Sequence, residues 1–254
     1  LTPVKITRVK DIAKKKKDGF QALYMVCYEF ALPKLQLYGV GEGSYPGKNE
    51  VTRVFDSTAI NSTQRFANRL QSAVFPPQRK WARLDAGSDI PADRMDVAKA
   101  VLEQYGEKMF TVLRQSNFDI AMGEFLLDLA VGTACMMVQP GDDVSPINFI
   151  PVPLFLVTYE EGANGQVDNV YRKIRMKGES IQRQWPDAKI EGQLARLIED
   201  KPTEDVELLE ATVFDAQRGD YCYHVIYKQT KDELVYRRRK SSPWVVSRYM
   251  KVAG

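Results

Sequence analysis

The sequence predicts an α+β fold in which a helical N-terminal half is packed with a mostly antiparallel C-terminal sheet. Two observations lead to this prediction. Apolar residues recur with a period near 3.6 as far as Gly132, and with a period of two after it. Helices therefore come first along the chain and strands second, an order typical of α+β proteins.

The first segment, residues 1–32, predicts a single helix. Its apolar residues repeat every seven positions and form a packing face: Ile6, Ala13, Phe20 and Cys27. Gly19 weakens this helix, and Pro33 ends it because the proline ring removes a backbone donor. Residues 34–55 predict a loop.

The second helix lies in residues 56–84, DSTAINSTQRFANRLQSAVFPPQRKWARL. Residues 56–58 supply side-chain oxygens that can accept the free N–H groups of a helix N-terminus. The helical period continues to Val74, and the pair Pro76-Pro77 ends it. We predict that three residues near this end are structural anchors: Phe75, Pro76 and Trp81.

Two further helices complete the helical half. The third runs from about Ala92 to Gln115, and the fourth begins at Asn117 and ends at Gly132. The third carries an apolar stripe of Ala98, Val101, Leu102, Tyr105, Met109, Val112 and Leu113. The predicted buried face of the fourth consists of Phe118, Met122, Phe125, Leu126 and Leu129.

The residues after Gly132 predict strands. The strands are expected at 133–139, 147–152, 154–160, 167–176, 206–214, 221–229, 233–239 and 244–250. Residues 162–165 form a turn between the third and fourth strands. Short helices are expected at 179–185 and 191–199, and the last four strands are expected to form one antiparallel meander.

Four segments of the chain resemble one protein family in their order and spacing. They are the F-P-P-x-x-x-W-x-x-L motif ending at Leu84, the helix and strand from Gln115 to Gly141, the strand pair Ile147 to Tyr171, and the strand in Ser242 to Gly254. The family is the portal, or head-to-tail connector, proteins of T7-like short-tailed bacteriophages. The resemblance covers most of the chain and includes no catalytic signature.

The resemblance implies a structural subunit of a ring, usually of about twelve copies, at one capsid vertex of the virion. Double-stranded DNA would enter and leave through the channel of this ring. The implied partners are the terminase large subunit, a tail adaptor protein, and the major capsid and scaffolding proteins, with assembly in the host cytoplasm.

The resemblance also implies which part of the portal subunit this chain represents. Residues 1–132 would form the helical part of the wing, and residues 133–254 its mostly antiparallel β part. The stem, clip and crown would lie largely beyond Gly254, so we expect the chain to be the N-terminal part of a longer protein.

The composition is ordinary for a soluble protein, with 44% hydrophobic and 27% charged residues. No apolar run reaches the length of a membrane span, and we predict no membrane partner. The lysines of the first helix lie around several of its faces, which disfavours a peripheral membrane role. Three widely separated cysteines, Cys27, Cys135 and Cys222, favour buried thiols in a reducing compartment over a disulfide framework.

Positive charge is concentrated at the two ends of the chain. Of the net charge of +3, residues 1–20 contribute +5 and residues 232–254 contribute +4, which leaves −6 for the middle. The two basic runs are Lys14, Lys15, Lys16 and Lys17, and Arg237, Arg238, Arg239 and Lys240. The second run has charges on both faces of a strand, which is typical of an edge strand.

Each basic run has two interpretations. The lysines predict either a solvated helix face or a contact with nucleic acid or a partner. The strand predicts contact with DNA phosphate or with an acidic neighbouring subunit.

The sequence contains no recognisable catalytic site and predicts a protein that is not an enzyme. His224 is the only histidine, and on a strand it shares a face with Cys222 and Ile226, so a packed sheet position is expected rather than a zinc site or a catalytic triad. Gly47-Lys48 lacks the flanking residues of a phosphate-binding loop. We therefore predict no catalytic residue, metal ligand or cofactor.

The alternative function is a metal-dependent DNA-processing enzyme such as a nuclease. Such an enzyme needs acids that converge in space rather than in sequence. The candidate pairs are Asp142-Asp143, Glu160-Glu161, Glu199-Asp200 and Glu204-Asp205.

Overall fold

The computed structural model describes residues 2–19, 21–33, 54–77 and 79–249. Contacts divide the chain into two units. The described part of the first unit is residues 2–19, 21–28 and 153–244, and that of the second is residues 29–33, 54–77, 79–152 and 245–249. Most of the predicted loop at 34–55, including Gly47-Lys48, lies outside the described residues. The division of a portal wing at residue 132 stays a prediction.

The N-terminal half is helical, as predicted, but its first helix is divided. The α-helices are α1 (Pro3–Asp18), α2 (Gln21–Ala31), α3 (Thr58–Val74), α4 (Met95–Gln115), α5 (Phe118–Val131), α6 (Gly178–Gln184) and α7 (Gly192–Asp200). The prediction of one helix over residues 1–32 is therefore wrong. Gly19 forms a turn after α1, because glycine loses more backbone entropy in a helix than any other residue.

The strands form two sheets, which confirms the α+β class. The strands are β1 (Thr133–Pro140), β2 (Ile147–Val152), β3 (Val157–Glu161), β4 (Val167–Lys177), β5 (Asp205–Asp215), β6 (Asp220–Tyr227), β7 (Glu233–Arg239) and β8 (Trp244–Arg248). One sheet has the order β2-β1-β8, and the other runs β3-β4-β5-β6-β7 with antiparallel neighbours.

The expected meander of four strands ends after three. Strands β5, β6 and β7 are consecutive neighbours, whereas β8 joins the sheet that contains β1. Pro243 directly precedes β8 and has no N–H group to donate to a ladder, so the chain leaves the five-stranded sheet there.

The core of the second unit forms around α5, which contacts α3, β1 and β2. The face of α5 predicted to be buried is buried at all five positions: Phe118, Met122, Phe125, Leu126 and Leu129. Ala67 of α3 and Ala134, Met136 and Phe149 of the sheet complete this cluster. The helix ends at Gly132, whose φ of 147° is a conformation that favours glycine.

The core of the first unit lies between α1 and one face of the five-stranded sheet. From α1, Ile6, Val9 and Ala13 contribute to it. From the sheet, the cluster includes Tyr171, Leu209, Ala211, Val213 and Ile226. Alternation of side chains puts Tyr223 on the opposite face, where Trp185, just after α6, donates its indole N–H to the Tyr223 hydroxyl at 3.1 Å.

The predicted end of the second helix is confirmed, and the stripe of the third is covered only in part. Helix α3 ends at Val74, before Phe75 and the two prolines. In α4, all of which the structure describes, Phe110 is the buried residue, whereas Val101 and Tyr105 are 43% and 60% exposed. None of the described helices is long and apolar enough to cross a membrane.

Candidate functional site

The arginine-rich run lies on β7, which is one edge of the five-stranded sheet in the described part of the chain. Arg238 lies between Asp215 and Asp220, which face each other where β5 turns into β6. Its guanidinium donates to Asp215 Oδ2 at 2.8 Å, and its Nε donates to Asp220 Oδ2 at 2.9 Å. These hydrogen bonds lower the pKa of both carboxyls. The charge of Arg238 is therefore compensated within the chain.

The other residues of this run have different environments. Arg237 donates from Nε to Asp187 Oδ2 at 2.9 Å, and this hydrogen bond lowers the pKa of Asp187. Arg239 lies on the same face, with its guanidinium carbon 5.4 Å from the centre of the Tyr223 ring. Lys240 follows the strand and is exposed. Two of the three arginines predicted to contact DNA or a neighbouring subunit are therefore paired with aspartates.

The lysine-rich run lies at the end of α1. Lys14 and Lys15 are exposed, whereas the side chains of Lys16 and Lys17 lie outside the described residues. Lys173 of β4 lies close to this helix. Burial lowers its pKa, and so do the charges of Lys10, Lys14 and Lys228. The structure thus brings part of this run together with basic residues of β4 and of the segment after β6.

Sequence reasoning missed Lys173 and Lys228 because each is a single lysine outside any basic run. A signal was present in β4, where Lys173, Arg175 and Lys177 alternate along one face. That pattern indicates a basic strand face, but the partner on α1 depends on tertiary packing.

The three predicted anchors lie at one end of the core of the second unit. The Trp81 ring is in edge contact with Phe75 and Phe110, at centroid distances of 5.0 and 5.4 Å, and stacks on Phe118 at 5.9 Å. Pro76 is half-buried. Trp81 is 36% exposed, so its ring is only partly covered by these contacts.

A buried polar network crosses the face of the sheet opposite α1. Glu210 is 1% exposed and accepts a hydrogen bond from the Tyr223 hydroxyl at 2.5 Å. Its other oxygen lies 3.5 Å from Arg172 Nη1. Burial raises the pKa of Glu210, while Arg172 and Tyr223 oppose this shift. Among the described residues, Arg172 Nε and Glu210 Oε2 are buried without a hydrogen-bond partner.

His224 has the packed sheet position that the sequence predicts. It is 1% exposed, and its Nδ1 lies 2.5 Å from Glu233 Oε1. Burial lowers the pKa of His224, although Glu233 opposes this shift. The ring also packs against Tyr236, with centroids 5.1 Å apart.

Two acids of the candidate nuclease pairs, Asp142 and Glu160, have structural roles in the described residues. Asp142 caps a turn by accepting hydrogen bonds from the backbone N–H groups of Val144 and Ser145. Glu160 accepts from Asn169 and Tyr171. In the described residues, Asp215, Asp220 and Cys222 are close enough to one another to hold a metal ion, and none of them belongs to the candidate pairs. Arg238 forms ion pairs with both of these aspartates.

A comparison with protein families identifies the class of protein. A family profile described as bacteriophage head to tail connecting protein matches residues 5–254, almost the whole chain. The chain belongs to this family. No curated protein gives a significant match to the chain.

Membership of the connector family confirms the resemblance predicted from the four sequence segments. The chain is therefore a bacteriophage structural protein of the head-to-tail junction and a component of the virion. The structure adds to this identification two units with separate cores.

Proposed function

We propose that this chain is the wing part of a portal subunit, which forms a ring of about twelve copies at one capsid vertex. The channel of the ring carries double-stranded DNA during packaging and ejection. The ring binds the terminase large subunit during packaging and a tail adaptor protein afterwards. The observation that carries this proposal is the family match over residues 5–254.

The charge distribution supports a ring through which DNA slides. Phosphate contacts bind DNA more tightly as more basic side chains are presented to it. Arg237 and Arg238 are paired with Asp187, Asp215 and Asp220, so they present little free charge. A chain that compensates two arginines of a basic run in this way favours weak contacts with DNA over tight ones.

The role is mechanical and structural rather than catalytic. Two acids of the candidate nuclease pairs, Asp142 and Glu160, make local contacts, and the connector family is a family of structural proteins. Capsid and scaffolding proteins are the proposed neighbours at the vertex, and assembly takes place in the host cytoplasm.

The experiment that tests the proposal is native mass spectrometry of the full-length protein, combined with negative-stain imaging. A closed ring of about a dozen copies is the expected result. A monomer or dimer under all salt and concentration conditions would contradict the proposed function, and assays for metal-dependent nuclease activity would then follow.

A further inference from the structure

A group of basic side chains lies where α1 crosses the five-stranded sheet, all within the first unit. Ile6 and Ala13 of α1 pack in one cluster with Leu209 and Ile226 of the sheet. Lys10 lies between Ile6 and Ala13 on α1 and is only 8% exposed, so it also faces the sheet.

The strands bring three further basic residues to the same face of the sheet. Lys173 is the register partner of Leu209, and Arg175 is the partner of Glu207 on the neighbouring strand. Lys228, just after β6, donates its backbone N–H to the Glu207 carbonyl oxygen at 3.2 Å, and its ammonium group also bonds the Glu207 carboxylate. Strand β5 lies between β4 and β6. Because neighbouring strands are about 4.8 Å apart, Lys173 on β4 and Lys228 just after β6 are about 10 Å apart.

We define the lysine cluster as Lys10, Lys14, Lys173, Arg175 and Lys228. Two carboxylates pair with its members. Asp11 lies 3.3 Å from Lys10, and Glu207 bonds both Arg175 and Lys228. Among the described residues, Lys14 and Lys173 make no ion pair, and the side chain of Lys14 is exposed.

The charges of three other members of the lysine cluster act on Lys173. Its pKa is lowered from the usual 10.5 by burial and by the charges of Lys10, Lys14 and Lys228. An anion bound at the cluster would relieve this repulsion. The contrast with β7 is clear, because Arg237 and Arg238 already have aspartate partners.

We infer that the lysine cluster binds the phosphate backbone of double-stranded DNA, an inference that rests on the proposed portal function. Duplex DNA carries one charge per about 1.7 Å of its axis, so a cluster about 10 Å wide faces several phosphates. Lysine is depleted in the interfaces between proteins, whereas lysine and arginine make the common sequence-independent contacts to phosphate. DNA therefore fits this cluster better than an acidic surface of a second copy does.

The test measures binding of a fluorescent duplex of about 30 base pairs to the full-length protein over a range of KCl concentrations. The double variant Lys14→Ala/Lys173→Ala removes the two unpaired lysines, and neither belongs to the apolar core. Loss of two phosphate contacts reduces the slope of log K against log salt by about 1.8. We expect this decrease and a weaker affinity of about tenfold at low salt.

The matched control is Lys99→Ala/Lys189→Ala, which removes the same net charge at two exposed positions outside the cluster. We expect its salt slope to equal that of the unmodified protein. Equal slopes for all three proteins, equal losses in both double variants, or no binding of DNA by the unmodified protein would each overturn the inference. Melting curves of both variants show whether the fold is kept.

Native mass spectrometry of the same proteins separates this inference from the proposed function. If all three form rings and the cluster variant binds DNA normally, the inference is wrong and the portal function stands. If the unmodified protein forms no ring, the proposed function is wrong. If the cluster variant alone fails to form a ring and keeps its salt slope, the cluster contacts a second copy rather than DNA.

Discussion

Asn117 and Phe149 exchange two hydrogen bonds. The side-chain amide of Asn117 donates to the Phe149 carbonyl oxygen at 2.7 Å and accepts from the Phe149 backbone N–H at 2.9 Å. Asn117 immediately precedes α5, and Phe149 lies in β2. One side chain therefore fixes the start of the central helix of the second unit against an edge of its sheet.

Replacing Asn117 tests the strength of this link. Asn117→Ala removes both hydrogen bonds and leaves two backbone groups of Phe149 without their partner. We expect the free energy of unfolding to fall by about 1–3 kcal/mol. Urea denaturation, monitored by tryptophan fluorescence, measures the change in the free energy of unfolding.

The control for that variant is Asn61→Ala. The side chain of Asn61 donates to the hydroxyl of the exposed Ser57, which directly precedes α3, so we expect a change within about 0.5 kcal/mol. Equal effects of the two substitutions would show that the link between Asn117 and Phe149 does not stabilise the unit.

Trp81 provides a second test in the same core. A fully buried aromatic residue loses about 3–5 kcal/mol on replacement by alanine. Trp81 is 36% exposed but contacts three aromatic rings, so we expect Trp81→Ala to cost about 2–3 kcal/mol. Thermal and urea denaturation give the value.

Two further variants define what the Trp81 result means. Trp81→Phe keeps part of the ring contact and should lose less stability than Trp81→Ala. Phe55 is 94% exposed, so Phe55→Ala should have almost no effect. A loss below about 1 kcal/mol for Trp81→Ala would indicate that Trp81 does not anchor the fold and is free to contact another subunit.

The sequence predicted local features of this unit better than distant ones. The five buried positions of α5 follow from the helical period, and the end of α3 follows from the two prolines. The partner of Asn117 lies 32 residues away, and the link needs the helix and the sheet to be in contact first. No local pattern contains that information.

The pH dependence of stability tests the buried Glu210. Burial raises its pKa above the usual 4.5 in the folded state. A carboxyl with a raised pKa stabilises the fold below pH 4.5, and this contribution is lost as the pH rises through the folded-state pKa. Glu210→Gln removes the titration, so we expect its stability to decrease less than that of the unmodified protein over this rise. Denaturation at a series of pH values measures the difference.

Glu207 on the same strand provides a comparison of opposite sign. Hydrogen bonds from Lys228 and Arg175 lower the pKa of Glu207 to about 2. Its contribution is present above pH 4.5 and lost as the pH falls towards 2. Glu207→Gln should therefore flatten the acid side of the stability curve. The two variants should change the dependence of stability on pH in opposite directions. A change in the same direction would contradict the raised pKa of Glu210 and the lowered pKa of Glu207.

Arg238 is expected to matter most at neutral pH. The pKa values of Asp215 and Asp220 are lowered by their hydrogen bonds to Arg238, so their stabilisation is present above the usual pKa of 3.8 and is lost in acid. Arg238→Ala leaves the two aspartates facing each other, which lowers the melting temperature near pH 7. The difference from the unmodified protein should disappear as the pH falls below 3.8.

The control for Arg238 is Arg183→Ala, which removes an exposed arginine in α6. It should leave the melting temperature nearly unchanged at both pH values. DNA binding by Arg238→Ala should also be unchanged, because its charge is already paired. A decrease in the salt slope of DNA binding would show that Arg238 contacts phosphate after all.

The arginine run shows the limit of sequence reasoning about a candidate site. Charges on both faces of β7 correctly indicate an edge strand, since that pattern depends only on strand geometry. Whether an arginine is free or paired depends on residues such as Asp187, which lies 50 positions earlier. For the same reason, no contiguous basic run predicts that Lys173 lies near the basic residues of α1.

Asp142 distinguishes a structural acid from a catalytic one. Its Oδ1 accepts hydrogen bonds from the N–H groups of Val144 at 3.0 Å and Ser145 at 2.7 Å, and so closes the turn between β1 and β2. Asp142→Asn keeps an acceptor oxygen at this position and should keep the stability. Asp142→Ala should lose about 1 kcal/mol, since both N–H groups lose their partner.

A catalytic or metal-binding role for Asp142 predicts a different pattern, because a carboxylate that binds a divalent cation is weakened by either substitution. Adding magnesium or manganese should then raise the melting temperature of the unmodified protein and of neither variant. We expect no metal-dependent shift in any of the three proteins, with only Asp142→Ala destabilised. A shift confined to the unmodified protein would revive the nuclease interpretation, whereas equal stability of the two variants would show that the turn does not depend on Asp142.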